Sequence, residues 1–143
     1  NRISRKWGIL FFVMIDLEKK MEDLATIFDQ LRPLLARYSP PLLPKRDEAG
    51  YYDLWSFKDL IIAERKRKEV FFAGLIIQKS YVGFYYMPVY TDPETKEFFK
   101  PELLRLLKGK SCFHVKKVTP ELLDQISDAL ERGYRLYQER DWL

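Results

Sequence analysis

Cys112 and His114 are the only thiol and the only imidazole in the chain, and they stand two residues apart. If this stretch is a strand, both side chains lie on one face. A thiolate beside an imidazole can bind a soft metal or form a nucleophile–base pair. A zinc site needs at least three protein ligands, however, and parallel side chains on one strand do not aim the imidazole at the sulfur. The pair therefore argues against a thiol enzyme.

Other enzyme signatures are absent from the sequence. It contains no glycine-rich phosphate loop, no Gly-x-Ser-x-Gly nucleophile turn and no His-Glu-x-x-His metal motif. We therefore expect a non-catalytic protein with no catalytic residue and no cofactor.

Acidic side chains are concentrated in the first predicted helix. Glu18 and Glu22 lie one helical turn apart, with Asp23 beside them. Their like charges repel unless a cation lies between them, and carboxylate oxygens suit hard or borderline cations, including iron. An iron-binding chaperone is therefore one alternative function. The simpler interpretation, which we adopt, is a solvated helix face in which Lys19 and Asp23 form an i,i+4 pair.

A run of four basic residues is a further candidate site. With later lysines it could form a surface for nucleic acid, with aromatic side chains stacking on bases. The formal net charge of +4 permits such a partner without requiring it. Acidic residues flank the run, and basic runs are common in hairpin turns, so we expect a turn and keep nucleic-acid binding as a second alternative. The residues are Arg65, Lys66, Arg67 and Lys68, followed by Lys108, Lys110, Lys116 and Lys117.

The most unusual feature is a predicted hairpin at residues 71–90 that is apolar and aromatic on both alternating faces. One face must be core. The other can line a cleft for a small organic ligand, form a two-fold interface in a homodimer, or be a second packing layer. We expect a shared role, partly core and partly ligand pocket or protein interface. The candidate residues are Trp55, Tyr81, Gly83, Tyr85, Met87 and His114.

The periodicity of apolar residues predicts the elements that position these side chains. Spacings of three and four predict a first helix that begins at Asp16. Alternation from Gly50 predicts strands at 51–57, 60–63, 69–77 and 81–88, followed by a helix at 101–109 and a strand at 111–115. Thr119 is predicted to cap the last helix. We expect an α+β fold with one twisted, largely antiparallel sheet of about five strands and helices packed mainly on one face.

The length of 143 residues fits one domain, and 47% hydrophobic residues exclude a wholly disordered chain. We expect residues 14–143 to form this domain and residues 1–13 to be an added or upstream extension. A packed strand is the second interpretation of residues 1–13, and a membrane anchor the third. A single cysteine suits the reducing cytoplasm, and we expect no membrane partner.

Most of the chain resembles a known family. The stretch FFAGLIIQKSYVGFYYMPVY, followed by KPELLRLLKGKSCFHVKKV and a proline-started helix, is similar to the YdhG-like family of bacterial domains of unknown function. The resemblance covers residues 50–137, and its motifs are structural. It implies a compact α+β domain of the frataxin-like superfamily in a cytoplasmic bacterial protein. For part of that superfamily it also implies a role in iron handling. The matching positions are Phe72, Ala73, 81–85, Met87, Pro88, 108–110 and Phe113.

Overall fold

The computed structural model describes the backbone of residues 2–143 and the side chains of residues 8–14 and 23–143. The helices are α1 (Arg2–Ala36), α2 (Met87–Thr91), α3 (Pro101–Leu104) and α4 (Pro120–Glu139), with a 3-10 helix at Pro93–Phe98. The strands are β1 (Asp47–Glu48), β2 (Tyr51–Ser56), β3 (Leu60–Ile62), β4 (Arg65–Arg67), β5 (Val70–Ile77), β6 (Val82–Tyr86), β7 (Leu107–Lys108) and β8 (Cys112–Val115).

Six strands form one antiparallel sheet in the order β1-β2-β5-β6-β8-β7, which confirms the predicted α+β class. Two-residue strands lie at both edges, so the sheet has six strands rather than about five. The register shifts between Leu54 and Trp55, which leaves Phe72 as the extra residue of a bulge in β5. Strands β3 and β4 form a separate hairpin.

Alternation along each strand sends every second side chain into the core. In β6, Val82, Phe84 and Tyr86 are buried, whereas Tyr85 is only half-buried. Helices α1 and α4 pack against the buried face of the sheet and against each other. The Tyr86 hydroxyl donates a hydrogen bond to the Ala129 carbonyl of α4, which ties the sheet to that helix.

Helix α4 follows its prediction closely. The Thr119 hydroxyl accepts a hydrogen bond of 3.1 Å from the Leu122 N–H and so satisfies one of the free donors of the first turn. Pro120 occupies the first helical position, where its missing N–H costs nothing. Its apolar face is buried at Leu122, Ile126, Ala129, Leu130 and Gly133, and Tyr137 extends this face by one turn.

Helix α1 begins at Arg2 and not at Asp16, so the predicted start is wrong. Residues 2–15 hold one helix-weakening residue, Gly8, and a lone glycine is tolerated inside a helix. A packed strand in this stretch is therefore also wrong. The buried stripe that faces the sheet begins at Leu24, and the side chains from Ile9 to Met14 are each more than half exposed. In the part of the chain that the structure describes, no helix has both the length and the hydropathy to span a bilayer.

Three predicted boundaries are also wrong. The basic run 65–68 was expected to be a turn, but β4 occupies Arg65–Arg67 and the chain reverses at Ala63 and Glu64. The strand predicted to end at 88 ends at Tyr86, because Pro88 lies in the first turn of α2. The helix expected at 101–109 is the single turn α3, after which the chain enters β7.

Candidate functional site

The sheet carries a second set of side chains on the face opposite α1 and α4, here called the open face. The strand register places Asp53 beside Gly74, Gly74 beside Tyr85, and Tyr85 beside Cys112. Because neighbouring residues across a sheet point to the same side, these side chains form one row across four strands. The bulge then brings Trp55 opposite Phe71 at one end of the open face.

Two adjoining cavities lie along the open face, with volumes of about 310 and 390 Å³. Both are lined by Trp55, Phe71 and Met87, and together they are called the sheet-face groove. The walls are mainly aromatic and aliphatic, with Asp53 in the first cavity and Arg67, Glu69 and Thr91 in the second. Such a composition is typical of small-molecule sites. The first cavity is also lined by Tyr51, Asp53, Gly74, Ile76 and Tyr85, and the second by Ile62, Arg67, Val70, Tyr90 and Trp142.

Trp55 lies at the centre of the groove. Its ring is 5.1 Å from the ring of Phe71, and the Lys45 ammonium lies 3.7 Å from its centroid. Among the described side chains, its indole Nε1 is a buried polar atom without a hydrogen-bond partner. A buried donor without an acceptor costs free energy in the folded protein.

Asp53 positions the loop beside Trp55. Its buried carboxylate accepts hydrogen bonds of 2.8 Å and 2.9 Å from the backbone N–H groups of Lys45 and Arg46. These bonds hold Lys45 over the Trp55 ring and Arg46 over the Tyr51 ring. The contact between Lys45 and Glu69 at 2.5 Å closes the same rim. Asp53 is therefore a structural clamp for the groove and not a free carboxylate.

Glycines on the open face make room for the protein's own rings. A β-carbon on Gly83 would lie 2.8 Å from the Tyr85 ring, and one on Gly74 would lie 3.3 Å from the Phe71 ring. The Tyr85 hydroxyl accepts a hydrogen bond of 3.1 Å from Gln78 Nε2. Gly83 is one of the predicted pocket or interface residues, but the structure fills the space beside it with the Tyr85 ring.

Tyr81 and His114 form a stacked pair on the same face, with ring centroids 3.7 Å apart and planes 9° from parallel. The pKa of His114 is lowered from its ordinary value, first by loss of solvation and then by the positive charges of Lys108 and Lys116. Burial raises the pKa of the Cys112 thiol. A protonated thiol and a neutral imidazole are a poor nucleophile–base pair at neutral pH.

The structure therefore brings three predicted residues into one groove, namely Trp55, Tyr85 and Met87. Gly83 lies under Tyr85, and Tyr81 stacks on His114 away from the groove lining. Sequence reasoning missed Phe71, Tyr90 and Trp142 as lining residues. Trp142 gave no local signal, because the last residues of the chain reach the groove only through the tertiary fold.

The acidic helix face does not develop into a described metal site. The side chains of Glu18 and Glu22 lie outside the described residues, and Asp23 is exposed. Within the described part of the chain, no group of three His, Cys, Asp or Glu residues is arranged to hold a metal ion.

The basic residues predicted to form one surface are divided between separate places. Arg65, Lys66 and Arg67 are exposed on the β3–β4 hairpin, and Arg67 lines the sheet-face groove. Lys108, Lys116 and Lys117 line a different cavity, together with His114. Lys110 lies apart from these three, 5.8 Å from the centroid of the Tyr90 ring. The predicted basic residues therefore do not line one common cavity.

Comparison with known proteins gives no assignment: no family model, curated protein or solved structure matches the chain. The resemblance to the YdhG-like family stays a prediction.

Proposed function

We propose that this protein is a cytoplasmic, non-catalytic binding domain of the YdhG-like type that holds a small, flat organic ligand in its sheet-face groove. The observation that carries the proposal is the pair of adjoining cavities that share Trp55, Phe71 and Met87. Each volume, about 310 and 390 Å³, is within the range of small-molecule sites, roughly 300 to 1,000 Å³.

The chemistry of the walls favours a particular kind of ligand. Rings of Trp55, Phe71 and Tyr85 offer faces and edges on which a flat, apolar skeleton can stack. Met87 adds an adaptable thioether side chain where the two cavities meet.

Rigid support is the second reason to favour a ligand site. The Asp53 clamp fixes the rim, and Tyr137 donates a hydrogen bond of 2.6 Å to the Phe71 carbonyl from the core side. Ser56 donates a hydrogen bond to the Trp142 carbonyl and so holds the end of the chain beside the groove. A wall that is already ordered loses little conformational freedom on binding.

The test uses 2-naphthol, a neutral flat molecule with one hydroxyl group, in a saturation-transfer NMR titration. We expect binding to the parent protein and at least a fivefold weaker affinity in Trp55→Phe, since the smaller ring removes part of the aromatic wall that the two cavities share. Met87→Ala should also weaken binding, because it removes a wall shared by both cavities. Tyr134→Phe, on α4, is the matched control and should bind like the parent.

Two results would contradict the proposal. If 2-naphthol binds all three variants equally, the groove is not its site. If native mass spectrometry of the parent protein shows an empty dimer that Trp55→Phe or Met87→Ala dissociates, the groove is an interface between two copies and not a ligand site.

A further inference from the structure

A separate cavity, of about 370 Å³, lies at the other end of the sheet from Trp55 and is called the basic cavity. Arg105 and Leu106 line it from the segment after α3, and Lys108 lines it from the edge strand β7. His114 contributes from the end of β8, and the chain that leaves β8 contributes two more lysines before the first turn of α4. The complete lining is Glu102, Arg105, Leu106, Lys108, His114, Lys116, Lys117, Thr119 and Leu122.

Four permanent positive charges meet in this cavity: Arg105, Lys108, Lys116 and Lys117. None of them forms an ion pair with a side chain that the structure describes, whereas Arg32, Arg46 and Arg140, for example, are each paired. Like charges that line a concave surface raise the local potential and attract an anion.

The single carboxylate of the cavity does not neutralise these charges by direct pairing. Both Glu102 oxygens are already engaged: one accepts a hydrogen bond of 3.2 Å from the Thr119 hydroxyl, and the other accepts one of 3.1 Å from Gln125 Nε2. Counting four cations and one carboxylate, the lining carries a charge of about +3 while His114 is neutral.

His114 lies within the field of these charges. Lys108 on β7 and Lys116 beyond β8 both lower the pKa of His114, after the larger effect of lost solvation. The other neighbours are the stacked ring of Tyr81 and the cavity residues Glu102, Arg105 and Lys117. The imidazole therefore lies where a bound anion would be felt directly.

We propose that the basic cavity binds a small organic molecule through a phosphate group. Lysine and arginine side chains are the usual partners of phosphate oxygens. The volume of about 370 Å³ exceeds what one phosphate group fills, and Leu106, Leu122 and the His114 ring offer apolar contact for an organic part. The N-terminal end of α4, the positive end of its dipole, opens on the same cavity through Thr119 and Leu122.

A small phosphorylated molecule fits the distribution of charge better than a nucleic-acid strand. A strand is held by positive charges that follow its backbone over many nucleotides. Here Arg67 of the basic run lines a different cavity from Lys108, Lys116 and Lys117, so the basic residues are not gathered along one groove.

The experiment uses His114 as its own reporter, because it is the single histidine of the chain and its imidazole resonances need no assignment. The parent protein is titrated with inorganic pyrophosphate at constant ionic strength while the His114 resonances are followed by NMR. We expect saturable shifts, and a pH titration with pyrophosphate present should give a higher pKa for His114 than one without it.

Variants separate a built site from general charge attraction. Lys116→Gln with Lys117→Gln should weaken pyrophosphate binding by at least tenfold. Lys66→Gln with Lys68→Gln makes the same change of net charge at exposed positions and should leave the affinity within twofold. Urea unfolding of both double variants checks that the fold is retained, and Lys108→Gln is the substitute if the first pair unfolds.

Three results would overturn the proposal. The first is an equal loss of affinity in both double variants. The second is a His114 shift that chloride or sulfate at the same ionic strength reproduces. The third is a response to single-stranded polyuridylate with none to pyrophosphate, which would identify the cavity as part of a nucleic-acid surface.

Discussion

The phenol ring of Tyr85 lies across the backbone of Gly83, two residues earlier on the same strand, so closely that a β-carbon at position 83 would be 2.8 Å from ring atom Cε2. Gln78 holds the ring there through a hydrogen bond to the hydroxyl. Burial raises the pKa of Tyr85, with the Cys112 thiol as the next cause. The glycine therefore serves the packing of the open face, and ligand access is left to the groove beside it.

The first prediction follows from that contact. Gly83→Ala should lower the free energy of unfolding by about 1–3 kcal/mol, since the added methyl group must push the Tyr85 ring out of its place. In a Tyr85→Ala background the same change should cost less than about 1 kcal/mol, because the obstructing ring is gone. Urea unfolding of the four proteins measures the coupling, and a coupling of zero would contradict the contact.

The second prediction concerns pH. Asp92 is buried at the end of α2. Arg140, which follows α4, donates a hydrogen bond to each of its two carboxylate oxygens. The hydrogen bond with Arg140 is the main cause that holds the pKa of Asp92 below its ordinary value. A lowered pKa in the folded state means that the stabilisation is fully present above the unfolded pKa, about 3.9, and is lost as the pH falls through the folded pKa.

Asp92→Asn should therefore reduce the free energy of unfolding by about 1–3 kcal/mol at pH 7, and the difference from the parent should shrink below about pH 4. Asp141→Asn, a surface partner of Lys58 with a side chain 89% exposed, is the control and should cost under about 1 kcal/mol. Urea unfolding at pH 7 and pH 3 distinguishes the two. A difference for Asp92→Asn that grows at pH 3 would contradict the sign.

The third prediction concerns the thiol. Because burial raises the pKa of Cys112, its thiolate fraction at pH 7.5 is smaller than that of an exposed cysteine. The single thiol should react with a disulfide reagent at least tenfold more slowly in the folded protein than in the same chain unfolded in urea. The absorbance of the released thiolate gives the rate directly. A reaction rate in the folded protein equal to or above the rate in the unfolded chain would contradict the raised pKa of Cys112.

The fourth prediction concerns the turn that replaces the expected one at residues 65–68. Ala63 and Glu64 have φ values of +50° and +65°, and Ile62 pairs with Arg65 across them. This is a two-residue hairpin loop of the type that favours Asn-Gly. Ala63→Asn with Glu64→Gly should raise the free energy of unfolding by about 1 kcal/mol, since both residues tolerate positive φ.

Ala63→Val provides the opposite change for this turn, because a β-branched side chain at positive φ is strained. It should lower the melting temperature, while the Asn-Gly variant should raise it. If both variants have the same melting temperature as the parent, the β3–β4 hairpin unfolds independently of the sheet. The prediction that this turn contributes to the stability of the whole protein is then wrong.

The sequence predicts the parts of this fold in which side-chain periodicity and burial agree. The stripe from Leu24 to Leu35, the alternation in β2 and the Thr119 cap each have a local signal, and each is found. The turn at Ala63 and Glu64 has none, because neither residue is one that favours positive φ. The short helix at Pro88 carried a signal, a proline at a helix start, that the apolar run around it obscured.

The residues that line the sheet-face groove could likewise be predicted only in part. Alternation placed Trp55 and Tyr85 on one face, because both lie in regular strands. Phe71 was placed in the predicted hairpin but not on a particular face of the sheet. The bulge at Phe72 shifts the alternation of faces by one residue, so simple alternation does not place Phe71 on the open face. Trp142 enters the groove through the packing of Tyr137 and the hydrogen bond from Ser56, neither of which periodicity reports.

The two outermost strands of the sheet have a consequence for self-association. An edge strand with free N–H and C=O groups invites another chain to pair with it and polymerise. Here β1 is only Asp47–Glu48 and β7 only Leu107–Lys108, so each edge offers a foreign strand two residues, at least one of them charged. The protein is therefore protected against amyloid-like growth at both ends of the sheet, even though the strands between are among its most apolar segments.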